Sequence, residues 1–274
     1  MCKKTTSSFQ SAKREEINSE TVSLLNILYH KVDLERTFGV SHFPVSSSDV
    51  QKPVINKNVL TKQQTNQTTP SNKNESIEEA EYTQVDKVSV LKSLEEEAKQ
   101  CTQCGLSESR TNVVFGTGST KAGLMFVGEA PGYYEDIKGE PFVGKAGQLL
   151  TKIIEAIDLK RDDVYIANVL KCRPPENRNP SPNEIISCKP YLFQQIDLIH
   201  PKIICALGTF AAQALLNSTL SIGALRGKFH EFRGTKLVAT YHPAYLLRNP
   251  GEKRKTWEDM KKIRDFLKSG SNSS

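Results

Sequence analysis

The chain has 274 residues, a formal net charge of +6 and 37% hydrophobic residues, enough for one sizeable buried core and an appendage. No stretch approaches the about 18 consecutive apolar residues of a bilayer span, and the basic start, Met1 to Ser8, lacks the apolar core of a secretory signal. A cytoplasmic protein is expected, and in that reducing setting its six cysteines read as metal or cluster ligands ahead of disulfides.

Residues 1–20 are polar and expected to be disordered. From Thr21 to Phe38 the apolar set Val22, Leu24, Leu25, Ile27, Leu28, Val32 and Leu34 fits one amphipathic helix, which would dock on the core or on a partner. Residues 44–80 are rich in Ser, Thr, Asn, Gln and Lys and carry Pro44, Pro53 and Pro70. That composition buries too little apolar surface to offset chain entropy and reads as a flexible linker. Residues 1–88 are therefore expected to be an N-terminal extension, 89–268 the folded part and 269–274 a disordered tail.

Order resumes near Ser89, with a helix over Val90–Lys99 running into Cys101. Strands are predicted at Leu124–Gly128, Val164–Val169, Ile203–Leu207 and Leu237–Tyr241, and helices near 145–157, 182–199, 209–216 and 256–268. Apolar strands alternating with helices imply an α/β fold of three layers, αβα, around a central, mainly parallel four-stranded sheet. The strand ends carry Gly128-Glu-Ala-Pro-Gly132, Asn168, Gly208 and His242-Pro-Ala244. Unusual chemistry thus collects at the carboxyl edge of the sheet, where open α/β folds place their ligands. Gly128 and Gly132 allow close backbone approach, and Phe142, set among glycines and a proline, offers a face for a flat ring.

Charge is uneven. Residues 226–265 hold eleven Lys/Arg against five Asp/Glu, a local excess that points to a polyanionic partner, nucleic acid ahead of membrane. The cysteines fall into a pattern as well. Cys101 and Cys104 form a CxxC, Cys172 directly follows a strand, and Cys188 lies sixteen residues further on. Four thiolates suit a tetrahedral zinc or a four-iron cluster, and the spacing leaves the metal open. Cys205 sits inside a strand and reads as core; Cys2 has no expected role.

With these motifs assembled, the chain resembles a family 4 uracil-DNA glycosylase, the iron–sulfur branch of that superfamily. The residues that carry the likeness are Gly128-Glu-Ala-Pro-Gly132 with Glu135 and Asp136, Pro141-Phe-Val-Gly-Lys-Ala-Gly-Gln-Leu-Leu150, Asn168 to Pro175, and His242-Pro-Ala-Tyr-Leu-Leu-Arg248. It covers roughly residues 89–268. The resemblance implies a [4Fe–4S] cluster on Cys101, Cys104, Cys172 and Cys188. It also implies a monofunctional enzyme that flips deoxyuridine out of DNA, single- or double-stranded, and hydrolyses its glycosidic bond at the start of base excision repair.

Under that resemblance Phe142 stacks on uracil, Asn168 pairs with O4 and N3–H, and His242 faces O2, while Gly128, Glu129 and Ala130 wrap the base edge. Ala130 cannot polarise water, which leaves Glu129, Glu135 and Asp136 as candidate carboxylates, Glu135 ahead of Asp136. Leu246 or Leu247 would fill the gap left by the flipped base and Arg248 would hold phosphates. Lys253 to Lys255, with Lys261 and Lys262, would add salt-sensitive backbone contacts. The implied setting is a monomer in a bacterial cytosol or nucleoid. The competing reading is a non-catalytic Fe–S or zinc DNA-binding module with a vestigial pocket.

Overall fold

In the computed structural model residues 84–269 are described. The predicted helix at 21–38, the linker at 44–80 and the tail from 270 lie outside the described residues. The first described element is helix α1, Gln84–Gln100, which starts six residues before the predicted Val90.

Four strands form the centre of the sheet: β2 Leu124–Gly128, β3 Tyr165–Asn168, β4 Ile203–Leu207 and β6 Thr235–Thr240. They lie side by side in the order β3-β2-β4-β6, all parallel. Two short antiparallel strands, β1 Thr117–Gly118 on β3 and β5 Phe229–Phe232 on β6, extend this sheet to six. Every residue of β2, β3 and β4 is buried, as expected of strands covered on both faces.

Alternate side chains of each strand serve opposite layers. Met125, Val127, Ala167, Ile204 and Ala239 pack under α1, under α4 Pro182–Ile199 through Leu192 and Ile196, and under α5 Thr209–Leu216 through Ala211 and Leu215. Leu124, Phe126, Ile166, Cys205 and Val238 pack on the other side, against Leu150 and Ile154 of helix Lys145–Glu155 and Met260 and Ile263 of helix Lys253–Ser269. Cys205 is fully buried core, as expected. The result is the three-layer αβα arrangement, and none of its helices is long and apolar enough to cross a membrane among the described residues.

Local chemistry sets the element ends. Helix α4 opens on a capping box, in which Ser181 Oγ accepts from the Glu184 amide while Glu184 accepts from the Ser181 amide, with Pro182 at the first turn. Register then brings the strand ends level. Gly128 pairs with Asn168 and Leu207 with Thr240, so Gly128, Asn168, Gly208 and His242 all emerge at one edge. Gly208 has φ +88, and a Cβ there would stand 3.0 Å from the His242 Cβ; its left-handed turn is what makes room for His242.

Candidate active site and four-cysteine centre

A cleft of about 440 Å³ opens at that edge, lined by Glu129, Ala130, Glu135, Phe142, Asn168 and His242 and walled by residues of the 174–179 and 244–248 segments. Six of the residues predicted for base binding and catalysis therefore share one cavity. Gly128 stands behind it: a Cβ on Gly128 would collide with the Asn168 carboxamide oxygen and lie 2.6 Å from Phe142 Cζ. The strand ends beneath are pinned, because Val169 N–H donates to Gly128 O at 2.9 Å and Leu170 N–H to Glu129 O at 3.0 Å.

Asn168 is 1% exposed, and its Oδ1 has no hydrogen-bond partner within the described residues. A buried amide oxygen left unpaired is costly, on the order of 1–3 kcal/mol, so this atom is a ready acceptor for a ligand donor. Behind it, Lys171 is buried; its Nζ donates to the Asn168 carbonyl at 2.9 Å and to Gln195 Oε1 at 2.5 Å, and lies 5.7 Å from the Phe115 ring centroid. Burial pushes the Lys171 ammonium down to about 8. Nothing in the sequence set this lysine apart from a DNA-facing one, since a basic residue between Leu170 and Cys172 reads as a loop charge.

Phe142 adopts φ +55, a left-handed backbone for a bulky residue, and its ring centroid lies 5.5 Å from that of His242. The loop is held from two sides. Glu135 Oε1 accepts from the Val143 and Gly144 amides at 2.9 Å each, and Arg161 donates to the Pro141 carbonyl at 2.6 Å. Glu135 sits in α2, Tyr133–Lys138, and its neighbour Asp136 turns away from the cleft to accept from the Thr111 and Asn112 amides. The other pocket carboxylate, Glu129, has its pKa raised by burial.

His242 caps the helix α7, Pro243–Arg248, with Nδ1 accepting from the Ala244 amide at 3.1 Å. Burial, then the Arg248 charge, pushes its pKa down to about 4, so the ring is neutral at physiological pH. With Nδ1 an acceptor, the single proton belongs on Nε2.

On α7 the two predicted wedge residues part company. Leu246 is 1% exposed and Leu247 is 44% exposed. Leu246 is thus a packing residue, a correction to its expected DNA-facing role, because adjacent helix positions point about 100° apart. Arg248 is exposed and lines the cleft. The basic C-terminal stretch is partly neutralised: Lys255 pairs with Glu252, Lys261 with Glu258, and Arg226 with the buried Asp259.

Cys101 and Cys104 after α1, Cys172 after β3 and Cys188 in α4 line a second cavity. The described cysteines form no disulfide. Arg110 Nη1 donates to Cys172 Sγ at 3.3 Å and to the Cys101 carbonyl at 2.8 Å, and the Lys171 amide reaches Cys188 Sγ at 3.2 Å. Burial pushes the Cys188 thiol up to about 12 and also raises Cys172. Four thiols from three segments, with N–H donors already aimed at two sulfurs, fit a multi-thiolate group whose positive charge draws the protons off. Arg110 was another residue without a sequence signal; its partners are brought to it only by the fold.

Residues 115–261 match the family model of the uracil DNA glycosylase superfamily. The type-4 uracil-DNA glycosylase of Archaeoglobus fulgidus is 46% identical over 181 residues, covering 63% of this chain and 91% of that protein. That of Saccharolobus solfataricus is 46% identical over 188 residues, 65% of this chain and 87% of the relative. That of Thermotoga maritima is 43% identical over 183 residues, 65% of this chain and 95% of the relative. The chain belongs to the uracil DNA glycosylase superfamily and, within it, to the type-4 uracil-DNA glycosylases.

Proposed function

We propose that residues 89–268 release uracil from DNA as a monofunctional glycosylase, acting as a monomer and leaving an abasic site for repair. The observation that carries this reading is the buried, unpartnered Asn168 Oδ1 beside the Phe142 ring. Uracil entering the cleft would stack on Phe142, give its N3–H to Oδ1 and take a hydrogen bond from Nδ2 at O4. Cytosine carries an acceptor at N3 and a donor at N4, so it would leave both Asn168 groups unpaired and be rejected.

His242 would supply the electrophilic help. As the glycosidic bond breaks, the electron pair moves onto the uracil ring and charge collects at O2, while the sugar becomes oxocarbenium-like. A neutral imidazole with Nε2–H donating to O2 stabilises that developing anion more than the ground state. Water then adds to the sugar carbon, and Glu129, the pocket carboxylate not engaged by loop amides, would orient it. Glu135 acts by a different route, as the anchor of the Phe142 loop.

Cys101, Cys104, Cys172 and Cys188 would hold the [4Fe–4S] cluster, whose chemistry here is a covalent staple between the α1 end, the β3 end and α4. Cys172 and Asn168 share the short segment after β3, so the staple would steady the base-reading amide. The test is a labelled oligonucleotide with one deoxyuridine, incubated with the protein and then treated with alkali, with Asn168→Ala alongside. Breaks only after alkali, lost in the variant, are expected; no breaks from a folded brown protein would overturn the enzyme reading in favour of a DNA-binding module.

A further inference from the structure

At the pocket rim, α2 presents two aromatic rings that the base pocket does not use. Tyr133 is 53% exposed and Tyr134 is 62% exposed. Their ring centroids are 5.4 Å apart, edge to face. They follow Gly132, which itself lines the pocket. The helix is short, but its inner side is fixed, because Glu135 and Asp136 each accept two loop amides. The tyrosines are therefore held outward on a rigid base. Arg173 adds a third plane: its guanidinium carbon lies 5.1 Å from the Tyr133 ring centroid, and its Nε donates at 2.8 Å to Asn177 Oδ1. Asn177 is another pocket-lining residue, so this stack runs continuously into the pocket wall.

We propose that Tyr133 and Tyr134, with Arg173, form a second stacking shelf, which takes an unpaired base next to the flipped uracil in single-stranded DNA. This inference rests on the uracil-release reading and extends it to substrate form. A nucleotide seated in the pocket carries its neighbours across the rim by covalent necessity, and the cationic side chains of Arg173 and Arg248 at that rim match a phosphate backbone. Tyr planes suit any base, since every base has a π-face and a rigid ring costs little conformational entropy to bind. In a duplex the neighbouring base remains paired and stacked, so the shelf has nothing to grip. On a single strand it is free to turn onto the tyrosines.

The experiment uses the full chain and single-stranded oligonucleotides with one deoxyuridine, its 5′ or 3′ neighbour being thymidine or a tetrahydrofuran abasic spacer. Uracil release is followed for the unaltered protein, Tyr133→Ala, Tyr134→Ala and Tyr133→Phe, with matching duplexes in parallel. On single strands Tyr133→Ala should raise KM by about five-fold or more, with kcat little changed, and Tyr133→Phe should restore it. A spacer on one side should cost the unaltered protein a similar factor and cost Tyr133→Ala nothing further. Equal losses on single strand and duplex, additive effects of spacer and substitution at both positions, or no loss at all would each overturn the shelf. If the unaltered protein releases no uracil, the underlying enzyme reading fails instead. Fluorescence anisotropy of the same oligonucleotides then decides the shelf by the same non-additivity in Kd.

Discussion

Replacing Glu135 separates two roles for a pocket carboxylate. Its Oε1 accepts two amide bonds at 2.9 Å from Val143 and Gly144, and the residue before them, Phe142, sits at φ +55. Holding a non-glycine residue in the left-handed region costs about 1–2 kcal/mol. Two hydrogen bonds to a charged acceptor contribute about 1.5–3 kcal/mol each, more than enough to hold the loop. Glu135→Ala removes both and leaves two amides unsatisfied, so Phe142 should relax and its ring should leave the base site. A misplacement of about 1 Å is worth about 10²-fold in rate, and that loss in single-turnover uracil release is expected for the alanine variant. Glu135→Gln keeps an acceptor at the same place, its two neutral bonds contributing about 0.5–1.5 kcal/mol each, and should retain most of the rate. Melting curves check that both variants fold. Equal loss in Gln and Ala variants with the fold intact would show that the charge itself takes part in the chemistry, and would refute the anchoring argument.

Three further outcomes follow from the same geometry. Because His242 is pushed down to about 4 and Glu129 is raised above its ordinary 4.5, the acid limb of kcat/KM should be set by Glu129. In Glu129→Gln the remaining inflection should move toward 4, with none near 6.5. For stability the sign runs the other way from a paired histidine: the unfolded ring takes its proton first, so His242 lowers stability as pH falls from 6.5 to about 4, a dependence that His242→Gln should remove from the melting profile. Leu246→Ala should destabilise the fold by about 2–5 kcal/mol, whereas Leu247→Ala should leave the melting temperature unchanged and weaken release from duplex DNA. Cys188→Ser should lose the brown colour and lower the melting temperature; full colour retention, or zinc in place of iron by metal analysis, would refute the cluster assignment.

The sequence resolved what repeats over many residues. Leu124–Gly128, Ile203–Leu207 and the helices at 182–199 and 209–216 are found at the predicted bounds, because sustained apolar patterning reports on local structure directly. The short elements, β1, β5, α2 and α7, escaped. Two to six residues carry too little periodicity, and β5, with two exposed residues, is an edge strand defined by its partner and not by its own composition. The same division holds at the site. Asn168 and His242 at strand ends and Phe142 in its glycine-flanked loop stood out in the sequence, and the fold brings all three to one cleft.

The groups that hold those residues were not legible, since their meaning lies in partners far along the chain. Lys171 becomes a support for Asn168 only when α4 delivers Gln195, 24 residues away. Arg110 serves Cys172 across 62 residues. For Glu135 the sequence supplies a charge but not the two amides that engage its Oε1. Hydrogen-bond occupancy is what tells the two pocket carboxylates apart. The Glu129 carboxylate has no hydrogen-bond partner among the described residues and its pKa is raised by burial, whereas Glu135 Oε1 is engaged by two loop amides. The tyrosines of α2 are the converse case: the amides engaged by Glu135 and Asp136 fix their helix, yet both rings stay more than half exposed beside the cleft.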